Sequence, residues 1–251
     1  MGWLHAGHTS LVERARAENR SVVATIFVNP RQFGEAADFE QYPRNEAGDL
    51  RILERAGVDL VWMPPVAEVY PQGFATTVSV GTVAEPLEGA ARPGHFDGVA
   101  TVVAILFSIV GADRAYFGLK DYQQVAVIRR MTLDLALPPE IVACPTVREA
   151  DGLALSSRNA RLSPIARAAA PVLHRALTAA RSAWEAGERD ANRLRAAMRD
   201  VLATEPLADV DYVSVADAGD LRELERVDRR ALVSLAVRFE GVWLIDNEVL
   251  G

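Results

Sequence analysis

The chain opens on Met1-Gly2-Trp3-Leu4-His5-Ala6-Gly7-His8, a stretch that carries the pattern H-x-G-H. The next four residues, Thr-Ser-Leu-Val at 9–12, have the composition of a helix start. A helix N-terminus presents backbone N–H groups and a partial positive charge, which suit a phosphate group. The pattern therefore predicts a phosphate site in which His5 and His8 donate hydrogen bonds as charge develops in a transition state.

Two other interpretations of this motif stay open at this point. The first is a capped helix that carries two incidental histidines. The second is a metal site, because a spacing of three places His5 and His8 on one helical face. No third ligand is obvious nearby in the sequence.

The composition excludes several classes of protein. The 251 residues include 27 Lys and Arg against 34 Asp and Glu, which gives a net charge of −7. An acidic chain lacks the positive field that broad binding to nucleic acid or to a membrane surface requires. A single cysteine, Cys144, excludes an internal disulfide framework and a zinc cluster built from cysteines. The longest apolar run, residues 99–110, is too short to span a bilayer. A cytoplasmic protein without nucleic-acid or membrane partners is expected.

The pattern of apolar residues predicts two kinds of structure along the chain. Strands are predicted at residues 22–28, 58–63, 114–117 and 141–147, with helical segments between them. This alternation indicates a parallel sheet with helices on its faces. After Arg158, helices are predicted at 165–186 and 191–204, and strands at 211–215, 231–239 and 242–245. The second part therefore predicts a separate α+β domain with a small antiparallel sheet, and the boundary is expected near residues 146–151.

Two polar motifs follow the first predicted strand. The segment Asn29-Pro30-Arg31-Gln32-Phe33 lies at a strand end, where open α/β sheets bind ligands. Gln32 both donates and accepts hydrogen bonds, which suits a hydroxy acid, although Asn-Pro alone indicates only a turn. The segment 87–98, with His95, has the composition of a binding loop or of an ordinary glycine-rich connection.

Two more motifs carry positive charge. Lys120 follows a predicted strand in Tyr-Phe-Gly-Leu-Lys-Asp-Tyr-Gln-Gln, residues 116–124, and suits a phosphate as a point charge. Its neighbour Asp121 is either a ligand contact or a helix N-cap. Residues 151–159 provide two hydroxyl groups and Arg158, which suit either a mobile loop that closes on a polyphosphate or an interdomain linker.

These five motifs, in this order, closely resemble those of the pantoate–β-alanine ligase (pantothenate synthetase) family. The matching patterns are H-x-G-H, N-P-x-Q-F, R-P-G-H-F-D-G-V, G-x-K-D-Y-Q-Q and G-L-A-x-S-S-R-N, and the resemblance covers essentially the whole chain. It implies an α/β fold, with a Rossmann-like doubly wound parallel sheet and a smaller C-terminal α+β domain that carries a short antiparallel sheet. Residues 1–147 would form the catalytic domain that binds ATP and pantoate, and residues 148–251 a lid domain.

The resemblance also implies a reaction. Members of the family use ATP and Mg²⁺ to adenylate pantoate with release of pyrophosphate, and β-alanine then attacks the acyl-adenylate to give pantothenate and AMP. They are usually homodimers. The small-molecule partners expected for this chain are therefore pantoate, β-alanine and ATP.

Site residues are carried over from the family by motif. His8 would be the proton donor, with His5 beside it on the phosphates, Lys120 on the phosphates, and Ser156 and Arg158 on the departing pyrophosphate. The expected ATP contacts are Met1, Gly2, Leu4, His5, Gly7, His8, Gly118, Leu119, Lys120, Asp121, Val147, Leu155, Ser156, Ser157 and Arg158. The expected substrate contacts are Gln32, Gln124, Asn29, Tyr42 and His95. No residue is assigned to magnesium.

Three features depart from the family pattern. Leu119 replaces the usual Glu, which predicts weaker handling of ATP or magnesium if that side chain matters, and Leu155 replaces the usual Met at similar volume. Family members also have a strand immediately before Met-Gly-x-Leu-His, which is expected to be missing here. Two alternatives follow, namely another H-x-G-H nucleotidyltransferase and a catalytically impaired nucleotide-binding remnant. The acidic net charge disfavours a tRNA-charging role.

Overall fold

A computed structural model of the protein describes residues 2–32 and 44–251. Two predicted site residues, Met1 and Tyr42, lie outside the described residues. The chain divides into two compact units, the first within Met1–Leu119 and Gln123–Pro145 and the second formed by Lys120–Tyr122 and Thr146–Gly251. The functional assignment of 1–147 and 148–251 as catalytic and lid domains stays a prediction.

The first unit contains short parallel strands and the helices that connect them. Its helices are α1 (Ala6–Glu18), α2 (Glu46–Arg55), α3 (Val66–Val69), α4 (Glu88–Ala91), α5 (His95–Val110) and α6 (Tyr122–Asp134), of which Tyr122 belongs to the second unit. Its strands are β1 (Val23–Thr25), β2 (Leu60–Trp62), β3 (Arg114–Gly118) and β4 (Glu140–Cys144). Single 3₁₀ turns cover Pro30–Gln32, Thr82–Ala84 and Leu119–Asp121.

The strands of the first unit pair in parallel, as the alternating pattern predicts. β1 pairs with β2, with Val23 opposite Leu60, and β3 pairs with β4, with Arg114 opposite Glu140. Helix α2 lies in the crossover of the first pair and α6 in that of the second, so both pairs are β-α-β units. Because parallel strands end at the same edge, the motifs that follow β1, β2, β3 and β4 begin at carboxyl ends.

Two hydrophobic clusters hold the first unit together. α5 is apolar on most sides, and its Phe96 and Val99 pack with Ile128 and Met131 of α6. The second cluster joins Leu4 and Val12 to β1 and α2; its buried members are Leu4, Val12, Ala15, Val22, Ala24, Ile26 and Leu53. Burial of each large aliphatic side chain contributes about 1.5–3 kcal/mol, so the H-x-G-H segment is anchored by packing on both sides.

The second unit is an α+β structure. Its helices are α7 (Pro164–Ala169), α8 (Val172–Glu185) and α9 (Ala191–Leu202), and its strands are β5 (Asp209–Asp217), β6 (Ala231–Phe239) and β7 (Val242–Leu250). The strands form an antiparallel sheet in the order β5-β6-β7, as predicted. Glu240 and Gly241 join β6 to β7 with φ values of 49° and 82°, the left-handed pair that a two-residue hairpin of type I′ requires.

A buried ion pair fixes a hairpin of the second unit. Asp246 on β7 is almost fully buried, and its two carboxylate oxygens accept from Nη1 and Nη2 of Arg148 at 2.6 and 3.0 Å. Arg148 Nη1 also donates to the carbonyl of Gly152 at 3.1 Å. The backbones of Arg148 and Ala154 form an antiparallel β-bridge across the hairpin. The pair therefore orders the backbone that leads into the Ser-Ser-Arg motif.

No helix in the described ranges is long and apolar enough to cross a membrane.

We expect Asp246→Ala to lower the free energy of unfolding of the second unit by about 3 kcal/mol, because it leaves Arg148 without its partner in a mostly buried site. Urea unfolding can be followed by fluorescence in a Trp3→Phe, Trp62→Phe background, where Trp184 and Trp243 report on this unit. Glu185→Ala, which removes one partner of an exposed pair with Arg181, is the control and should cost less than about 1 kcal/mol. Equal losses for the two variants would contradict the role of the pair.

Candidate active site

The two histidines of the H-x-G-H motif cap helix α1. His5 is the N-cap residue, in extended conformation, and its Nδ1 accepts from the backbone N–H of Gly7 at 3.1 Å. His8, three residues later, accepts at Nδ1 from the backbone N–H of His5 at 3.3 Å. This is a reciprocal capping box in which imidazoles replace the usual Ser or Thr and Glu. The spacing of three is therefore the spacing between the N-cap position and the third helical residue.

The capping bonds determine which ring nitrogen of each histidine is a donor. Because Nδ1 of His5 and of His8 accepts a backbone N–H, the hydrogen of each neutral ring lies on Nε2. The ring centroids are 4.0 Å apart with a tilt of 43° between the planes. Two Nε2–H donors thus lie side by side at the positive end of α1, which is the arrangement that anionic oxygens prefer.

The metal interpretation of these histidines gains no further ligand. In residues 2–32 and 44–251, no group of three or more His, Cys, Asp or Glu side chains could hold a metal ion. A cavity of about 220 Å³ lies at the carboxyl ends of β1 and β2, with Gly2, Val28, Asp49 and Pro65 among its lining residues. The cavity lies at the edge of the sheet where ligands bind in this class of fold, and Gly2, three residues before His5, is among its lining residues.

Asn29, predicted to contact substrate, is buried and holds neighbouring segments together. Its Nδ2 donates to the carbonyl of Gly98 at 3.0 Å, and its Oδ1 accepts from the Tyr70 hydroxyl at 2.8 Å and from the Arg31 backbone N–H at 3.2 Å. Burial raises the pKa of Tyr70, which keeps its hydroxyl a donor. These bonds favour a positioning role for Asn29 over direct contact with substrate.

The segment around His95 holds the Pro30–Gln32 turn. Arg92 Nη2 donates to the Gln32 carbonyl at 2.9 Å, and His95 Nδ1 lies 3.0 Å from the same oxygen. A carbonyl only accepts, so Nδ1 of His95 carries the hydrogen. A Cβ atom at Gly98 would lie 2.3 Å from the Arg31 carbonyl oxygen, so only glycine allows α5 to come this close. The motifs N-P-x-Q and R-P-G-H-F-D-G therefore form one structural element. This element carries the half-buried side chain of Gln32.

The adjacent glutamines of α6 have different environments. Gln123 is buried, and its side chain accepts from the Glu88 N–H and donates to the carbonyls of Val83 and Pro86. Gln124, the predicted substrate ligand, is partly exposed. Gln123 thus fixes the loop before α4. Gln124, the next residue of α6, lies at the surface of the helix.

The Lys120 segment belongs to the second unit. Gly118 ends β3, and a Cβ atom there would meet no described atom within 4 Å, which leaves room beside the backbone. Lys120 is 16% exposed, and its Nζ lies 3.1 Å from Oδ1 of Asp121. Asn247 Nδ2 donates to the Lys120 carbonyl at 2.7 Å, and the Tyr122 hydroxyl donates to the Ala218 carbonyl at 2.8 Å. The first bond fixes the backbone before Asp121, and the second anchors the Tyr122 side chain after it.

Five other predicted ATP contacts, Val147, Leu155, Ser156, Ser157 and Arg158, lie in the second unit. The Leu155 N–H donates to the Val147 carbonyl at 2.9 Å, so these residues close the hairpin that Arg148 stabilises. Ser156 then caps the 3₁₀ turn Ser157–Arg161, because its Oγ accepts from the Arg158 N–H at 3.2 Å. In the same hairpin, the hydrogen bond from Arg167 lowers the pKa of Asp151. The arrangement brings a hydroxyl and a guanidinium onto one ordered turn.

Several residues that shape the site received no role from the sequence. The most prominent are Asp49, Arg92, Gln123, Asp246 and Asn247, which act through bonds to backbone or to other site residues. Arg92 lies inside a quoted motif, so its type and position were visible. Asp49 and Asn247 contact segments 45 and 127 positions away, and no local pattern reveals such contacts.

The family model for pantoate–β-alanine ligase matches residues 1–249 of this chain. Among curated relatives, the pantothenate synthetase of Roseiflexus sp. strain RS-1 is 63% identical over 250 residues, which are 100% of this chain and 90% of that protein. The enzyme of Herpetosiphon aurantiacus is 59% identical over 251 residues and is covered to 91%.

Solved structures agree with these sequence matches. The crystal structure of pantothenate synthetase from Thermus thermophilus has a TM-score of 0.96 at 51% identity, covering 99% of this chain and 90% of that one. The Francisella tularensis pantoate–β-alanine ligase, complexed with β,γ-ATP and β-alanine, has a TM-score of 0.81 at 33% identity, covering 99% and 87%. The predicted Rossmann-like fold with a smaller C-terminal domain is confirmed, and the alternative activities are not favoured. The chain belongs to the pantoate–β-alanine ligase family and is a ligase that condenses pantoate with β-alanine in an ATP-dependent reaction.

Proposed function

We propose that the condensation proceeds in two steps through a pantoyl-adenylate. In the first, a pantoate carboxylate oxygen attacks the α-phosphorus of ATP, and the bond to the β-phosphate oxygen breaks to release pyrophosphate. In the second, the β-alanine amine attacks the acyl carbon, its proton is lost, and the bond to AMP breaks. The observation that carries this proposal is the pair of adjacent imidazole rings at the N-terminus of α1, whose Nδ1 atoms accept backbone N–H groups and so leave the ring hydrogens on Nε2.

His8 and His5 are the proposed phosphate donors of the first step. Pantoate and ATP are both anionic, so their approach requires cations and N–H groups that offset the repulsion. His8 would protonate or hydrogen-bond the oxygen on which charge develops, with His5 beside it. The capping bonds support this role because they hold both rings before substrate arrives, which leaves no reorganisation for the transition state.

Lys120, Ser156 and Arg158 are the proposed contacts to the β- and γ-phosphates and to the departing pyrophosphate. An ammonium group, a hydroxyl and a guanidinium are suitable for this, since all donate to phosphate oxygens. The other proposed ATP contacts are Gly2, Leu4, Gly7, Gly118, Leu119, Asp121, Val147, Leu155 and Ser157. The uncharged Leu119 would contribute packing only. Leu4 would act from its backbone, because its side chain lies in the core.

Gln32 and Gln124 are the proposed ligands of pantoate, with Gln32 also bordering the β-alanine site. An amide binds hydroxyl and carboxylate groups without adding charge. The contacts of Asn29 and His95 support a positioning role for both, because they hold the turn that carries Gln32. The Francisella complex, which contains an ATP analogue and β-alanine, supports ATP and β-alanine as the ligands here.

Magnesium is proposed only as part of the MgATP substrate. The described residues do not fit a resident metal site, since they contain no cluster of three potential ligands. Mg²⁺ in such enzymes commonly keeps several waters and is held mainly by substrate phosphates. No residue of this chain is therefore assigned to it. A cytoplasmic homodimer, which the family resemblance implies, completes the proposal.

We expect His8→Gln to lower the rate of pantoate-dependent ATP–pyrophosphate exchange about 100- to 1000-fold, the usual effect of removing one transition-state donor. Glutamine at this position can still accept the His5 N–H as a capping-box residue, so α1 should keep its N-terminus. Circular dichroism and urea unfolding check the fold, and His174→Gln is the control with unchanged exchange. Wild-type exchange in His8→Gln would refute the proposed role.

Lys120→Ala is expected to raise the KM for ATP about tenfold or more, because a charge-assisted hydrogen bond to phosphate contributes about 1.5–3 kcal/mol. The KM for pantoate should change less than twofold. Steady-state kinetics with each substrate varied measure both values. Arg199→Ala removes an exposed cation from α9 of the same unit and should leave both constants unchanged. Equal changes for ATP and pantoate would count against a phosphate contact.

Gly98→Ala is expected to lower kcat/KM for pantoate at least tenfold, because the new Cβ would lie 2.3 Å from the Arg31 carbonyl and must displace the turn that carries Gln32. Gly81→Ala is the matched control, since a Cβ there meets no described atom within 4 Å. If both variants keep the wild-type kcat/KM, the close approach of α5 does not govern the pantoate site.

A further inference from the structure

Asp49 is a buried carboxylate that accepts hydrogen bonds from the Trp3–Leu4 backbone, just before the H-x-G-H motif. It lies in the first turn of α2 and is 3% exposed. Its Oδ2 accepts from the Trp3 N–H at 2.8 Å, and its Oδ1 accepts from the Leu4 N–H at 2.7 Å. A buried carboxylate is costly unless its oxygens are hydrogen-bonded, and both are bonded here. The N-terminal turn of α2 further favours the negative charge.

The backbone that Asp49 holds is in an unfavourable conformation. Trp3 has φ of 54°, in the left-handed region that residues other than glycine rarely adopt. Such a residue persists only where its surroundings over-determine it. Trp3 is 37% exposed, so burial of the indole is incomplete and does not hold this conformation alone. The hydrogen bonds that the Trp3 and Leu4 N–H groups donate to Asp49, together with the burial of Leu4, therefore help to maintain this backbone.

The held segment leads directly to the two histidines. Leu4 is followed by the N-cap His5, and the His5 N–H is the group that holds the His8 ring. A shift of the Leu4 peptide would therefore move the His5 ring and the partner of His8 Nδ1 together. We propose that Asp49 is a positioning residue of the ligase reaction, which acts through His5 and His8 by fixing the Trp3–Leu4 backbone. This inference rests on the proposed function of those histidines.

The first test compares Asp49→Ala and Asp49→Asn in pantoate-dependent ATP–pyrophosphate exchange, with rates expressed per folded protein. We expect Asp49→Ala to lower kcat about 100-fold, the effect of a misplacement near 1 Å, while KM for ATP and pantoate changes less than twofold. Asp49→Asn keeps one acceptor oxygen but faces the other N–H with its amide NH₂, so kcat should fall about tenfold. A change confined to KM would indicate direct ligand contact and would overturn the proposal.

Asp59→Ala is the matched control. Asp59 also accepts a backbone N–H, from Val22 at 2.7 Å, in the same unit but outside the motif, and pairs with Arg16. Its exchange kinetics should stay within twofold of wild type. If Asp59→Ala lowers kcat as much as Asp49→Ala does, the loss reflects general weakening of the unit, and the positioning role is refuted.

A double-mutant cycle separates this inference from the proposed function. In the His8→Gln background, Asp49→Ala should lower the residual kcat by clearly less than the 100-fold expected in the wild-type background, because one of the two rings that it positions is gone. An undiminished effect in that background would overturn the inference, whereas wild-type exchange in His8→Gln alone would overturn the role of His8 instead. If Asp49→Ala does not fold, Asp49→Asn is used in the same cycle.

Nitrogen-15 spectra of the four histidines should show loss of the pure Nε2–H tautomer at two of them in Asp49→Asn, and unchanged spectra would refute the proposal.

Discussion

The rest of the active site depends on the hydrogen bonds that close the N-terminus of α1. A helix leaves its first N–H groups without intrahelical partners, and this chain satisfies them with imidazole nitrogens. The same bonds that stabilise the helix also decide the tautomer and direction of both rings. Under the proposed function, helix stability and catalysis would share one set of atoms, since the bonds that order the rings also cap the helix. Asp49 extends this arrangement one step back along the chain.

The turn that carries Gln32 is likewise held by a few residues of one neighbouring motif. Arg92, His95 and Gly98 come from one motif and act on one short turn, two by hydrogen bonds to its carbonyl and one by the absence of a side chain. Asn29 closes the arrangement from the opposite side. The polar residues of these motifs thus divide into those that present groups outward and those that fix the presenting backbone.

Most of the fold could be predicted from the sequence, because periodicity reports which face of an element is buried. The apolar run 99–110 became most of α5, and the strand predicted at 231–239 became β6. Strand lengths were less accurate, since residues 22–28 contribute only Val23–Thr25 to a strand. At the site, the motifs indicated the chemistry and the resemblance selected Gln124, but neither gave a role to Gln123 or Asp49. Those roles depend on contacts between segments far apart in sequence, which no local pattern encodes.

The position of Lys120 has a consequence for how the protein can be divided. Lys120 precedes residue 147, yet its backbone is held by Asn247, near the end of the chain, and the neighbouring Tyr122 by Ala218. A fragment that stops at residue 147 would contain the lysine and Asp121 but neither Asn247 nor Ala218. A cut after residue 147 therefore does not separate two independent parts of the protein. The polypeptide passes between the two compact units three times, at 119–120, 122–123 and 145–146, so no single cut in the sequence separates them.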